Sequence, residues 1–280
     1  MKTCDLHTHS TFSDGTYTPD EIINAAIAAK LSAVALCDHN TVDGLPRFLS
    51  AAEGKSIEAV PGAEFSVDLD GKELHLLGLF ISPEYFSQIS DLTALSHKLK
   101  EQSNIELIAS LGKAGIQLNY DVIKSKTPNG KVNRAHIAMA LTEAGYTASV
   151  KNAFDTLLSR SAGHYKDPNR ESVWEIIDVI NSIHAVPVLA HPFLNLDERA
   201  LASFLPLAKA RGLKGMECYY SLYDEKTTEK SLQLANEFGL LPSGGSDFHG
   251  SNKEGIGIAV GKGNLRIPYE WMSELKKFAK

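Results

Sequence analysis

The sequence alternates short apolar runs of strand length with longer stretches of amphipathic, helix-like spacing, and this alternation limits the folds open to it. A repeated strand–helix order is typical of a parallel sheet covered by helices, either doubly wound or closed into a barrel. The first helix has a clear start, because Thr18 can cap it, Pro19 suits its first turn and Glu21 completes a capping box. The predicted strands span 3–6, 33–37, 58–60, 74–80, 186–190, 213–218, 240–242 and 256–260, and the predicted helices lie near 19–30, 41–53, 171–184, 197–210, 224–238 and 268–279.

One long segment breaks the alternation. Between about 88 and 167 the apolar spacing is helical and no strand is predicted, and glycines follow the ends of two of the helices. We therefore predict an α/β domain formed by residues 1–87 and 168–280, interrupted by a helical insertion at 88–167. The predicted helices of the insertion span 92–114, 134–144 and 149–158.

Composition excludes several classes of protein. The formal net charge of -6 argues against a protein that coats nucleic acid through bulk positive charge. The cysteines Cys4, Cys37 and Cys218 are far apart and form no C-x-x-C pair, so a disulfide framework or a structural zinc knot is not expected. The sequence has no signal-peptide pattern and no apolar run near 18 residues, so we expect a cytoplasmic protein.

Histidines and acidic residues follow almost every predicted strand. In a parallel α/β sheet the carboxyl ends of the strands face one side, where sites are usually built. Side chains spread over most of the chain would therefore meet at one rim. These residues are His7, His9 and Asp14 after the first strand, Asp38 and His39 after the second, Glu64 after the third, His75 within the fourth, His191 after the fifth, and Asp247 and His249 after the seventh.

The residue types at this rim suit metal ions. Imidazole and carboxylate ligands together favour zinc, manganese or iron. His7 and His9 are two residues apart, so from a strand they would point to the same face, and Glu64 has two oxygens that could bridge two ions. A single histidine at a strand end is more often a hydrogen-bonded surface or core residue. The repetition at successive strand ends favours the metal site.

The motifs HTHSTFSDG, CDHNTVDG, GAEFS, ELHLLG, LAHP and GSDFHG resemble, in this order, those of the polymerase-and-histidinol-phosphatase (PHP) family of metal-dependent phosphoesterases. The resemblance covers about 3–85 and 171–262. In the insertion, NRAHIA and LLSRSAGHYKD resemble one branch of the family, which contains nucleoside 3′,5′-bisphosphate phosphatases and 5′–3′ exoribonucleases. The insertion would then be a substrate cap.

The resemblance implies a distorted (β/α)7-type barrel with two to three divalent ions, manganese, iron or zinc, on its carboxyl-terminal rim. It also implies the ligands: His7, His9, Glu64 and Asp247 for the first ion, His75 and His191 with the bridging Glu64 for the second, and Asp14, His39 and His249 for the third. Glu64, Asp247 and His249 are predicted to be the catalytic residues as well, and Asp38 is expected to orient a ligand imidazole.

Clustered cations favour an anionic substrate, and a water held between them has a lowered pKa and is the expected nucleophile. The rest of the substrate must be held by other residues. Arg134, His136 and Arg160 in the insertion are predicted to bind substrate phosphate, since arginine suits bidentate phosphate capture. Without the resemblance, these three would be taken for ordinary solvated charges on a helical surface.

The first hypothesis for function is a metal-dependent phosphoesterase. It would remove phosphate from nucleotides, either nucleoside 3′,5′-bisphosphates or monophosphates, or act on 5′ ends of short oligonucleotides. The same core would also serve a small-metabolite phosphatase such as a histidinol-phosphatase, or a non-catalytic metal-dependent binding module. Structural metal sites usually have a closed four-ligand shell, which argues against the last alternative. The expected partner is a small phosphorylated substrate, with no membrane and no stably bound duplex nucleic acid.

Overall fold

One curved sheet organises the chain in this computed structural model, which describes residues 2–127 and 130–280. Its strands are β1 (Thr3–Asp5), β2 (Ala33–Leu36), β3 (Glu58–Leu69), β4 (Lys72–Leu79), β5 (Val186–Leu189), β6 (Gly215–Tyr220), β7 (Leu241–Gly245) and β8 (Ile267–Pro268). Within the described ranges they are ordered β7-β6-β5-β4-β3-β2-β1-β8. Because β1 to β7 follow one another around the sheet in chain order, the sheet is wound like a barrel.

The sheet is mostly parallel, but β4 runs antiparallel to both of its neighbours and β8 antiparallel to β1. The third strand does not end before Glu64, as predicted, but continues to residue 69 and turns directly into β4. The reversal puts the first half of β4 at the rim to which the parallel strands point. His75 therefore reaches that rim although it lies near the beginning of its strand.

The barrel closes between the segments that follow β1 and β7, at residues 7–9 and 247–248. The His9 N–H donates to the Phe248 carbonyl at 2.9 Å, and the Asp247 N–H donates to the His7 carbonyl at 2.8 Å. Gly245 is required at this seam, because a Cβ there would lie 2.2 Å from the Cβ of His7. The distorted (β/α)7-type barrel expected from the sequence is confirmed, and β8 lies outside the ring as an added strand.

Alternating residues of the strands face two apolar layers. In β2, Val34 and Leu36 belong to the layer under the surrounding helices, whereas Ala33 and Ala35 belong to the layer inside the barrel. Cys4 and Cys37 lie in this inner layer as small buried residues. The helices around the barrel are α1 (Pro19–Ala28), α2 (Leu45–Ala52), α7 (Val173–Ser182), α8 (Glu198–Arg211), α9 (Glu225–Glu237) and α10 (Tyr269–Lys276).

The insertion is helical and has an apolar core of its own, built around Leu107, Leu111, Ile137 and Leu141. The division of the chain at 88–167 stays a prediction. Its helices are α3 (Phe86–Lys113), α4 (Tyr120–Lys126), α5 (Arg134–Glu143) and α6 (Val150–Asp155), of which α4 was not predicted. Among the described residues, no helix combines the length and the apolar character needed to cross a membrane.

The strand predicted at 256–260 is wrong. These residues form turns, joined by an isolated bridge between Gly257 and Gly261, and Ala259 has a φ of 70°. Glycines at 255, 257, 261 and 263 break the extended backbone that the apolar residues alone would favour. The final strand of the sheet is instead β8.

Candidate metal centre

Six histidines and three acidic residues converge at one end of the barrel, with Glu64 at their centre. One oxygen of Glu64, Oε1, lies 2.8 Å from His75 Nδ1 and 2.9 Å from His191 Nε2. Its other oxygen, Oε2, lies 2.9 Å from His39 Nδ1. The nine predicted ligands are therefore brought together, although they come from both ends of the chain. They are His7, His9, Asp14, His39, Glu64, His75, His191, Asp247 and His249.

The first predicted ligand set forms a compact group. His7 Nε2 and His9 Nε2 are 3.0 Å apart, and both lie within 3.4 Å of Glu64 Oε2. Asp247 Oδ1 lies 3.3 Å from His9 Nε2 and 3.7 Å from His7 Nε2. Four ligand atoms placed tetrahedrally at about 2.1 Å from an ion are about 3.4 Å apart, so these spacings fit one shared cation.

The third predicted set lies beside the first. Asp14 Oδ1 is 3.2 Å from His249 Nε2, and Asp14 Oδ2 is 3.8 Å from His39 Nε2. His39 also approaches Glu64 through its other nitrogen, so it stands between this set and the second one. Donor atoms of His9, Asp14, His39 and His249 all lie within 4.8 Å of one another.

Several buried ligand atoms in this cluster, among them Glu64 Oε2, Asp14 Oδ1 and His39 Nδ1, make no hydrogen bond of acceptable geometry, although other ligand atoms lie close to them. A buried polar atom without a hydrogen bond costs about 1–3 kcal/mol, so a bound cation would stabilise this arrangement. The donors are carboxylate oxygens and imidazole nitrogens, which fit divalent cations of intermediate softness.

The charges in the cluster favour the ionised form of Glu64. Burial favours the protonated form of Glu64, but the imidazoles of His75 and His39 outweigh it and hold the pKa of Glu64 well below its usual range. Burial, together with the neighbouring His249 and His39, lowers the pKa of His9 well below its ordinary value. Ionised carboxylates and neutral imidazoles are the forms that bind metal ions, so a bound cation would displace the proton of an imidazole such as His75, whose pKa Glu64 raises to about 10 against the effect of burial.

Two of the candidate ligands have unusual backbone conformations. His191 has a φ of 27° and Asp247 a φ of 53°, in the left-handed region that non-glycine residues rarely adopt. Such conformations persist where surrounding contacts enforce them, and they cluster at functional sites. Each lies two residues after the end of a strand, so the turn in the backbone aims its side chain across the rim.

Residues behind the ligands fix their orientation. The predicted role of Asp38 as a supporting residue is compatible with its contacts, because it accepts hydrogen bonds from the Ser10 N–H and from the hydroxyls of Ser10 and Ser13, in the loop that carries His9. Sequence reasoning missed Glu217, which is fully buried. Its carboxylate accepts from His7 Nδ1 at 3.0 Å and from the backbone N–H of His191 at 2.7 Å. The available signal was an acid inside the apolar run GMECYY.

The three predicted phosphate-binding residues differ in position. Arg134 lines a cavity of about 160 Å³ together with His39 and His75 from the ligand cluster. His136 caps its own helix instead, as its Nδ1 accepts a hydrogen bond from a backbone N–H, and it lines a separate groove of the insertion. Arg160 pairs with an aspartate, and its side chain is 58% exposed. Of the three, only Arg134 borders the cluster.

Two cations that sequence reasoning missed also line the Arg134 cavity, namely Lys100 and Arg170. Arg170 donates to Glu73 Oε2 at 2.9 Å, and the guanidinium of Arg134 lies 4.2 Å from the ring centre of Tyr165. A sequence alone gives no signal for these residues, because they meet only when the insertion folds against the barrel.

Comparison with known proteins identifies the family of the chain. A family model described as the PHP domain matches residues 5–184. A 5′-3′ exoribonuclease of Haemophilus influenzae is 31% identical, with 89% of this chain and 90% of the relative covered. A 3′,5′-nucleoside bisphosphate phosphatase of Chromobacterium violaceum is 29% identical, with 91% of this chain and 90% of the relative covered.

A solved structure has the same architecture. It is a Bifidobacterium adolescentis protein assigned as a metal-dependent phosphoesterase, with a TM-score of 0.88, 25% identity and coverage of 100% of this chain and 97% of that one. The matches extend over the barrel and the insertion alike. The chain belongs to the PHP domain family and is a metal-dependent hydrolase of phosphoric esters.

Proposed function

We propose that this chain hydrolyses a phosphate monoester of a nucleotide that carries a second phosphate, with nucleoside 3′,5′-bisphosphates as the leading substrates. The observation that carries the proposal is the cavity beside the ligand cluster, which is lined by Lys100, Arg134 and Arg170. One phosphate would lie over the cluster, and the second would be held by these three cations. The nucleotide relatives described above support this substrate class.

The cations of this cavity are suited to an anionic ligand. Burial lowers the pKa of the Lys100 ammonium, which reflects the cost of holding a cation away from water. Arg134 and Arg170 share Glu73, and Arg170 also pairs with Asp167 Oδ1 at 3.1 Å. A bound phosphate would add negative charge beside Arg134 and Lys100, and the guanidinium fork matches its oxygens.

We further propose that the nine clustered residues hold two to three divalent ions, with manganese, iron and zinc all compatible with mixed imidazole and carboxylate ligands. When bound, such ions neutralise phosphoryl oxygens and make water more acidic. Glu64, Asp247 and His249 are proposed as catalytic residues because they line the cavity over the cluster. In the net reaction the oxygen of water ends on phosphorus, and the alcohol leaves with one of the protons of that water.

A panel of substrates tests the proposal. Phosphate release by the manganese-loaded protein is compared on adenosine 3′,5′-bisphosphate, adenosine 5′-monophosphate and histidinol phosphate. We expect the bisphosphate to be preferred over the monophosphate by about tenfold or more, since a second phosphate adds charge-assisted hydrogen bonds. Arg134→Met should remove that preference, whereas Arg199→Met, an exposed arginine of α8, should not. Preference for histidinol phosphate would contradict the proposal.

A neighbouring cavity favours a second candidate substrate, the 5′ end of a short oligonucleotide. This cavity of about 260 Å³ shares His39, Lys100 and Asn133 with the first one. Its lining includes the aromatic rings of Phe12 and Tyr120, which could stack on a base. A higher kcat/KM on a 5′-phosphorylated dinucleotide than on the bisphosphate would favour this candidate.

A further inference from the structure

We infer that Lys253 is a further catalytic residue, whose ammonium group donates a hydrogen bond to a non-bridging oxygen of the phosphoryl group being hydrolysed. The inference rests on the proposed function, because it places that phosphoryl group over the ligand cluster. No prediction from the sequence had singled out Lys253, which follows the motif GSDFHG by three residues.

The lining of the cavity directly over the cluster includes Lys253. This cavity of about 290 Å³ contains the side chains of Glu64, His191 and Asp247 among other candidate ligands. Its lysine and arginine side chains, within the described residues, are Arg134 from the insertion and Lys253 from the barrel. A phosphate dianion in this cavity would therefore meet one fixed cation from each part of the molecule.

The ammonium group of Lys253 has more hydrogen-bond donors than its protein partners use. Lys253 Nζ forms a short ion pair with Asp247 Oδ2 and donates to the Tyr220 hydroxyl at 3.2 Å. The Tyr220 hydroxyl donates to the same carboxylate oxygen at 2.8 Å. An ammonium group has three N–H donors, so one is left for a ligand. The Lys253 side chain is 29% exposed, which leaves that donor reachable from the cavity.

The two oxygens of Asp247 have separate tasks in this arrangement. Oδ1 faces His9 Nε2 at 3.3 Å, on the side of the proposed ion, whereas Oδ2 faces Lys253 and Tyr220. Lys253 can therefore contact a phosphoryl oxygen without giving up the carboxylate or displacing a ligand atom. No proton transfer from Lys253 is part of this role.

The loop that carries Lys253 is held in place by hydrogen bonds to residues 14–16. Gly250 has a φ of 65°, and a Cβ there would lie 1.9 Å from Thr16 Oγ1, so only glycine fits. The Ser251 N–H donates to Thr16 Oγ1 at 3.0 Å, and Asn252 Nδ2 donates to the Asp14 carbonyl at 2.7 Å. The loop is thus pinned to the segment that supplies a candidate ligand. A preformed cation stabilises developing charge at little reorganisation cost.

The test compares Lys253→Met and Lys253→Arg with the native protein and with Lys262→Met, a matched change at an exposed lysine downstream. Three quantities are measured on manganese-loaded protein: kcat/KM on adenosine 3′,5′-bisphosphate, the Kd for inorganic phosphate by calorimetry, and the Kd for Mn²⁺. We expect Lys253→Met to lower kcat/KM by about 100-fold and to weaken phosphate binding by about tenfold. Its Mn²⁺ affinity should stay within about threefold, and Lys253→Arg should recover at least about tenfold in kcat/KM.

Two results would overturn the inference. One is a Lys253→Met protein that binds phosphate and hydrolyses substrate as the native protein does. The other is a loss of Mn²⁺ affinity that accounts for the whole loss of activity, since Lys253 would then only position Asp247. Failure of the native protein to hydrolyse any nucleotide would refute the proposed function instead, and the phosphate-binding comparison would still test Lys253.

Discussion

Glu217 offers the sharpest test of how the ligands are oriented. It is fully buried in β6, and its two carboxylate oxygens accept from two different donors, His7 Nδ1 at 3.0 Å and the backbone N–H of His191 at 2.7 Å. The first bond keeps a proton on Nδ1, so that Nε2 of His7 is free to face Glu64 and Asp247. Glu217→Gln changes this arrangement without changing the size of the side chain.

The expected effect follows from counting acceptors. A glutamine has one acceptor oxygen, so if it keeps the His191 N–H, its NH₂ group faces His7 Nδ1. His7 must then accept at Nδ1 and carry its proton on Nε2, which blocks the nitrogen that faces the cluster. Loss of such a supporting carboxylate typically weakens metal binding by about 10- to 100-fold, or about 1.4–2.7 kcal/mol. If the glutamine instead turns its oxygen to His7, a buried backbone N–H loses its partner at a cost of about 1–3 kcal/mol.

The assay separates these two outcomes. Calorimetric titration of the EDTA-treated protein with Mn²⁺ measures metal affinity, and urea unfolding in EDTA measures the stability of the metal-free fold. Glu229→Gln, at an exposed position of α9, is the matched control and should change neither quantity. A Glu217→Gln protein with native Mn²⁺ affinity and native stability would refute the reasoning, because one of the two hydrogen bonds must be lost.

Three further predictions concern stability. Gly250→Ala should lower the midpoint of thermal unfolding, because its Cβ would meet Thr16 Oγ1 at 1.9 Å with φ at 65°. Leu141→Ala, in the core of the insertion, should cost about 2–5 kcal/mol in urea unfolding. Burial, together with Lys131 and Lys100, lowers the pKa of His97 from its ordinary value of about 6.5 to about 4. The unfolded chain therefore binds the proton first, and stability should fall as the pH drops from about 6.5 to 4, by about 2 kcal/mol given its partial exposure.

Each of these predictions has a result that would contradict it. A native unfolding temperature for Gly250→Ala would mean that the loop can move away from Thr16 without cost. Unchanged urea unfolding of Leu141→Ala would mean that the insertion does not fold around its own core. For His97, the loss of stability on acidification should be smaller in His97→Gln than in the native protein, and equal losses would assign the effect to other groups.

The sequence predicted the cluster well because strand ends are encoded locally. An apolar run followed at once by His or Asp marks the point where a buried strand meets the rim, and parallel winding brings such points together. His7, His191 and Asp247 could be placed in this way. The motifs and their order along the chain also identified the family, which the alternation of strands and helices alone would not have done.

The errors arise where non-local packing decides the outcome. The turn at 69–72 reverses β4, and nothing in the apolar spacing of β3 required that strand to continue beyond Glu64. Glu217 contacts His7, 210 residues away in the sequence, and Lys253 contacts Tyr220 of β6, so these contacts are visible only in the fold. Arg160, predicted from the family resemblance to bind phosphate, pairs with Asp167 and does not line the cavities at the cluster described above, and its role stays a prediction.

The central claim is that the cluster around Glu64 holds the divalent ions on which phosphate release depends. The most direct measurement is phosphate release from adenosine 3′,5′-bisphosphate by EDTA-treated protein, with and without added Mn²⁺, for the native chain and for Glu64→Gln. We predict release only with Mn²⁺ and only by the native chain, with a loss of about 1,000-fold or more in the variant. Release that persists in EDTA, or that Glu64→Gln retains at the native rate, would contradict the claim.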